Sequence, residues 1–161
     1  MLIDIHSHIN FNKFKDDADI VIQNALAEDT WMIAVGADYK TSKRALDYAN
    51  KYEKGVYASV GLHPTHVSPV EASDEEYTYT TLGEEFNYDI YEKLAKFEKV
   101  VAIGEIGLDY YHFSKEQDVA TQKEKQKKAF IQQLLLARNL KLPVIIHCRQ
   151  AHDDMVEILT K

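Results

Sequence analysis

Apolar residues in this chain fall into two alternating arrangements. Short, nearly unbroken runs occupy residues 1–8, 31–37, 56–62, 100–109 and 142–149, each of strand length. Between them, apolar residues recur at helical spacing. They are Ala18, Val21, Ile22, Ala25 and Leu26 within 16–28, and Ala45, Leu46, Ala49 and Tyr52 within 41–54. Tyr88, Ile90, Tyr91, Leu94 and Phe97 follow within 86–97, then Ala129, Phe130, Gln133, Leu134 and Ala137 within 117–140, and a last helix is predicted over 151–161. Gly55 is placed to stop the second helix, and Pro143 suits the first positions of the fifth strand. One segment breaks the rhythm. Residues 68–85 are acidic and tyrosine-dotted (Asp74, Glu75, Glu76, Tyr77, Tyr79) and exceed the usual βα loop of about two to six residues, so they are expected to form a lid or a surface insertion.

A β-α alternation repeated five times predicts an α/β protein with a parallel sheet covered by helices. Two architectures satisfy it, an open doubly wound sheet and a closed (β/α) barrel of the TIM type. The polar residues discriminate. His6, His8, His63, Glu105, His147 and Arg149 sit at or just beyond the C-terminal ends of four predicted strands, the place where a barrel assembles a site. The Gly-rich phosphate loop of an open dinucleotide-binding sheet is missing from the sequence. A full barrel takes about 200 to 250 residues, so 161 residues are expected to form an incomplete one of about five βα units.

Composition narrows the setting. The length and the 45% hydrophobic content fit one domain spanning 1–161. A net charge of -7 supplies no basic face for gripping long nucleic acid, although bound divalent cations would provide positive charge locally. Cys148 is the only cysteine, which excludes an intrachain disulfide and fits a reducing compartment. No apolar run reaches the ~20 residues of a spanning helix and the first residues lack the form of a secretory signal, so a cytoplasmic protein without a membrane partner is expected.

The chemistry lies in the strand-end residues. On a strand, His6 and His8 point the same way, and two imidazoles on one face can grip one metal ion. Packing gives little reason for such a pair, whereas a single histidine near a strand end is ordinarily a hydrogen-bonded core or surface residue. Glu105 stands inside the apolar run Ile103, Gly104, Glu105, Ile106, where an ionised carboxylate needs a cation or donors; a structural salt bridge is its plainer role. His147 ends the fifth strand and Arg149 shares its face, either as a surface cation or as a planar fork for a phosphate or carboxylate. Imidazoles with one carboxylate suit zinc, with magnesium or manganese gaining if more oxygens join. A bridging Glu105 would place His6 and His8 on one of two ions and His147 on the other, an arrangement able to activate water and clamp a phosphoryl oxygen. Cys148 alternates away from His147 and is read as a wall or helix-facing residue.

The motifs Asp4-Ile5-His6-Ser7-His8, Gly61-Leu62-His63-Pro64, Gly104-Glu105-Ile106-Gly107-Leu108-Asp109-Tyr110-Tyr111, Pro143-Val144-Ile145-Ile146-His147-Cys148-Arg149 and Ala151-His152-Asp153-Asp154 resemble those of the TatD family of metal-dependent deoxyribonucleases, within the amidohydrolase-like barrels. The resemblance runs the length of the chain. It implies phosphodiester hydrolysis of DNA ends with two divalent ions (Zn, Mg or Mn), His6, His8, Glu105 and His147 as ligands, and Glu105 as the bridging catalytic carboxylate. It also implies that His63 and Arg149 line the substrate phosphate, and makes Asp109 a candidate to orient a ligand. Members of the family continue for three more βα units that add a histidine and an aspartate ligand. The resemblance therefore implies a truncated product, or a partial barrel completed by a second copy or a complementing chain. Two alternatives stay open: hydrolysis of a C-N or ester bond in a small molecule, and a non-catalytic barrel acting through a partner.

Overall fold

The structure, a computed structural model, describes residues 1–73, 78–115 and 117–161. Its main sheet has five parallel strands: β1 (Leu2–Ser7), β2 (Thr30–Val35), β3 (Val56–Val60), β6 (Val100–Asp109) and β7 (Val144–Arg149), in the order β1-β2-β3-β6-β7. The sheet curls like part of a barrel, as the alternation predicts. Four connections carry helices: α1 (Ala18–Ala27), α2 (Tyr39–Lys51), α3 (Tyr88–Ala95) and α4 (Val119–Leu140), with α5 (His152–Leu159) after the last strand. Among the described residues, none of the helices is long and apolar enough to cross a membrane.

The core forms where the helices meet the middle of the sheet. Val56, Ala58 and Val60 of β3, with Ile103, Ile106 and Leu108 of β6, are fully buried against Ala45 and Ala49 of α2, Tyr91 of α3, and Phe130 and Leu136 of α4. The outer strands differ. On β1, Leu2, Ile3 and Ile5 are exposed, and on β7 so is Ile146, because each of these strands has a partner on only one side of the sheet.

Two departures from the sequence reading have local causes. Helix α2 ends at Lys51, with Tyr52 already extended, so Gly55 does not stop it. Gly55 instead takes φ +84 in the turn into β3, where the left-handed region favours glycine. The insertion contains an antiparallel hairpin, β4 (Pro69–Ser73) and β5 (Thr78–Leu82). Thr81 Oγ1 donates to the carbonyls of Thr65 and Ser68, tying the hairpin to the turn that follows β3. Residues 74–77, which include the acidic stretch from Asp74 to Glu76, lie outside the described residues.

Helix α4 sets the mouth of the sheet with three buried glutamines. Gln133 exchanges two hydrogen bonds with the backbone of Leu62 (2.7 and 3.0 Å), Gln126 two with Asp109 (2.8 Å each), and Gln122 two with Ser114 (2.8 and 2.9 Å). A primary amide offers one acceptor and two donors, so each satisfies an N–H and a C=O at or beyond a strand end, where the sheet ladder has stopped. The mouth is thus pinned in three places by one helix.

Candidate metal centre

Glu105 lies at the middle of the strand-end residues. Its strand is buried along nearly its whole length, and two glycines allow the close approach of β7: a Cβ on Gly104 would lie 2.6 Å from that of Ile145, and one on Gly107, at φ +144, only 2.0 Å from the His147 carbonyl oxygen. The glycines that flank Glu105 therefore bring β7, and His147 with it, next to the carboxylate.

The two carboxylate oxygens face different partners. Oε2 is 3.1 Å from His6 Nε2 and 3.9 Å from His8 Nε2, whereas Oε1 is 3.1 Å from His147 Nδ1 and 3.8 Å from His63 Nε2. Ligand atoms in each of the sets His6, His8, Glu105 and His63, Glu105, His147 lie within 4.8 Å of one another, so either set could hold a cation. His6 near the end of β1 and His8 just beyond it bring both rings to the same oxygen, the arrangement that strand alternation predicts. Asp4 Oδ1 accepts the His6 backbone N–H at 3.0 Å, and His8 Nδ1 lies 3.3 Å from the Val35 carbonyl, which leaves His8 Nε2 for the site.

Hydrogen bonds distinguish the remaining two imidazoles. His63 Nδ1 is held by Thr65, 2.8 Å from its Oγ1 and 3.3 Å from its backbone N–H, and Nε2 is the nitrogen that faces Glu105. His147 lies between two carboxylates, with Nδ1 on Glu105 and Nε2 at 2.9 Å from Asp109 Oδ2. Asp109 is almost wholly inaccessible and also accepts from the backbone N–H groups of Tyr111 (2.9 Å) and His112 (2.8 Å) and from His112 Nδ1 (3.0 Å).

These contacts shift the titrations in consistent directions. Burial alone would raise Glu105, but the hydrogen bond from His147 and the charges of His63, His6 and His147 together outweigh it and hold the carboxyl at about 2. Asp109 likewise resists its own burial through the bonds from His147, His112 and the backbone, and lies well below the usual carboxylate range. Burial, followed by the neighbouring His147, drives His63 down to about 3; burial also lowers His8. For His147, burial would lower the value, but Asp109 and Glu105 prevail and raise it to about 9. Near neutrality Glu105 and Asp109 are thus ionised and His8 and His63 neutral, the forms that bind divalent ions, whereas His147 must shed a proton to do so.

Arg149 stands apart from these contacts. It is exposed at the end of β7, with its guanidinium carbon 4.2 Å from the centroid of the Tyr111 ring. The sequence reading gave no role to His112, Thr65, Gln122 and Gln126, and named Asp4 and Gln133 without one. The spacing of Asp109 and His112, three apart just beyond a strand, and the polar positions 122, 126 and 133 on one side of a long helix were the available signals.

The whole arrangement has relatives. The model of the family described as TatD related DNase matches residues 3–161. The metal-dependent hydrolase YabD of Bacillus subtilis is 37% identical over 160 residues, covering 99% of this chain and 55% of YabD. The 3'-5' ssDNA/RNA exonuclease TatD of Erwinia amylovora is 35% identical over 160 residues, 98% of this chain and 54% of its own length. The crystal structure of YJJV, a TatD homolog from Escherichia coli, superposes with a TM-score of 0.76 at 30% identity, covering 99% of this chain and 55% of that one. The chain spans about half the length of these relatives. With its family model matched almost end to end and its fold shared with a solved homolog, the chain belongs to the TatD-related DNase family.

Proposed function

We propose that this chain carries the first part of the active site of a divalent-metal-dependent phosphodiesterase acting on DNA ends. One observation supports the reading above others: Glu105 offers one oxygen to His6 and His8 and the other to His147, the division needed for two cations sharing a carboxylate. Bound there, zinc, magnesium or manganese would supply a nucleophile from water at neutral pH and polarise a phosphoryl oxygen.

The protein's own groups have separable tasks. Glu105 would be shared between two cations, His6 and His8 would hold one of them, and His147 would hold the second through Nδ1 with its Nε2–H on Asp109. His63, whose Nε2 faces the mouth, contacts a phosphate oxygen, and Arg149 adds a fork of N–H donors at the rim. Among the described residues Arg149 has no carboxylate within 4.0 Å, so its donors are uncommitted. The Erwinia relative named as a 3'-5' ssDNA/RNA exonuclease favours nucleic-acid ends over small amides and esters. Residues 1–161 then form one domain, the first part of a hydrolase barrel, and β1 and β7 are edges at which further strands, a second copy or a complementing chain pair.

The test is hydrolysis of end-labelled oligonucleotides, with amides and lactones in parallel, as magnesium, manganese or zinc is added. Cleavage of the oligonucleotide alone, lost in both His6→Ala and Glu105→Gln, is expected. Cleavage unaffected by both substitutions, or turnover confined to amides or lactones, would overturn the proposal.

A further inference from the structure

Tyr111 has no part in the chemistry above, yet it lies directly beside it. Its backbone N–H is bound to Asp109 Oδ1, and Asp109 in turn holds His147. Across the β6–β7 ladder, Gly107 faces His147 and Asp109 faces Arg149, so Arg149 lies one step beyond His147 along β7, and Tyr111 follows the end of β6 in the turn held by Asp109. Side chains two residues apart on a strand, as His147 and Arg149 are, stand about 6.6 Å apart along it, which is the scale separating the phosphate of a nucleotide from its base.

The pair has the composition of a stacking surface. The Arg149 guanidinium lies 4.2 Å from the ring centroid, and the His112 ring meets Tyr111 at 87°, with centroids 4.7 Å apart. Even so, Tyr111 is 54% exposed. Neither packing nor charge pairing explains this placement, because the tyrosine adds little to the core and Arg149 has no carboxylate partner among the described residues of a chain with net charge -7. Aromatic rings and guanidinium planes are the groups on which single-stranded bases stack without regard to sequence.

We infer that Tyr111, held in place by Arg149 and by the Asp109 turn, is the platform on which the terminal nucleobase stacks while its phosphate enters the Glu105 mouth. The inference rests on the phosphodiester reading and adds the base as a recognised group. It makes Tyr111 a specificity residue for nucleotides over sugar phosphates, indifferent to which base is present.

Binding tests it without requiring turnover. Calorimetric titration of the chain in magnesium-containing buffer compares dAMP with deoxyribose 5-phosphate, which lacks the base. Stacking should favour dAMP by about 5- to 100-fold in the wild type, fall below about twofold in Tyr111→Ala, and persist in Tyr111→Phe, which keeps the ring face. Deoxyribose 5-phosphate should bind Tyr111→Ala as it does the wild type, which also verifies that the variant is folded. A wild type that binds both probes equally overturns the platform and leaves the phosphate reading standing. A preference for dAMP that survives in Tyr111→Ala overturns it as well. Failure of the wild type to bind either probe removes both.

Discussion

Asp109 Oδ2 lies 2.9 Å from His147 Nε2, on the opposite side of the ring from Glu105. In the proposed site this bond would leave Nδ1 of His147 for a cation, with the Nε2 proton held by Asp109. Replacing Asp109 by Asn weakens the acceptor, and an outer partner of this kind is typically worth about 10- to 100-fold in metal affinity. Calorimetric titration of Asp109→Asn with zinc or manganese should show that loss for one site and little change for the site served by His6 and His8.

His147 also ties metal binding to pH. Its value in the folded protein, about 9, stands above its ordinary 6.5, so the stability it contributes in the metal-free protein is fully present below pH 6.5 and lost as pH rises through 9. A cation on Nδ1 must displace this proton. Binding at the His147 site is therefore expected to release a proton and to tighten steadily between pH 6.5 and 9, measured as calorimetric heats in buffers of different ionisation enthalpy. Affinity that is flat across this range would show that His147 does not take the cation.

Gln126 bears on the same residue from behind. Its amide closes two 2.8 Å bonds on the Asp109 backbone, and Gln126→Leu would leave a buried N–H and C=O unpaired. Each such group costs about 1–3 kcal/mol, so urea denaturation should show a loss of at least that size. Metal affinity at the His147 site should fall in parallel, because Asp109 loses its anchor.

Gly107 is the most constrained position on β6. An alanine there would adopt an unfavourable φ of +144 and press its Cβ to 2.0 Å from the His147 carbonyl oxygen. Backbone strain alone costs about 1–3 kcal/mol, and the contact with backbone cannot relax by a side-chain rotation. Gly107→Ala should lower the thermal midpoint and displace His147, with the second cation bound more weakly than in the wild type.

Much of the fold was legible in the chain because its signals are local. A continuous apolar run and a helical period depend only on neighbouring residues, which is why β6 runs over 100–109 as expected and α4 ends at Leu140 as expected. Gly55 misled because glycine serves helix ends and left-handed turns equally, and which one it serves depends on where the next strand begins.

The site divides along the same line. Alternation at the end of β1 predicts that His6 and His8 share a face, and a carboxylate within an apolar strand announces a charged partner at Glu105; both follow from covalent geometry and desolvation. Which oxygen meets which ring, the clasp of Asp109 on His147 and the seat of Arg149 over Tyr111 involve residues 38 to 99 positions apart in sequence. Contacts of that kind exist only once the strands have stacked in order and α4 has pinned their ends, so they belong to tertiary packing.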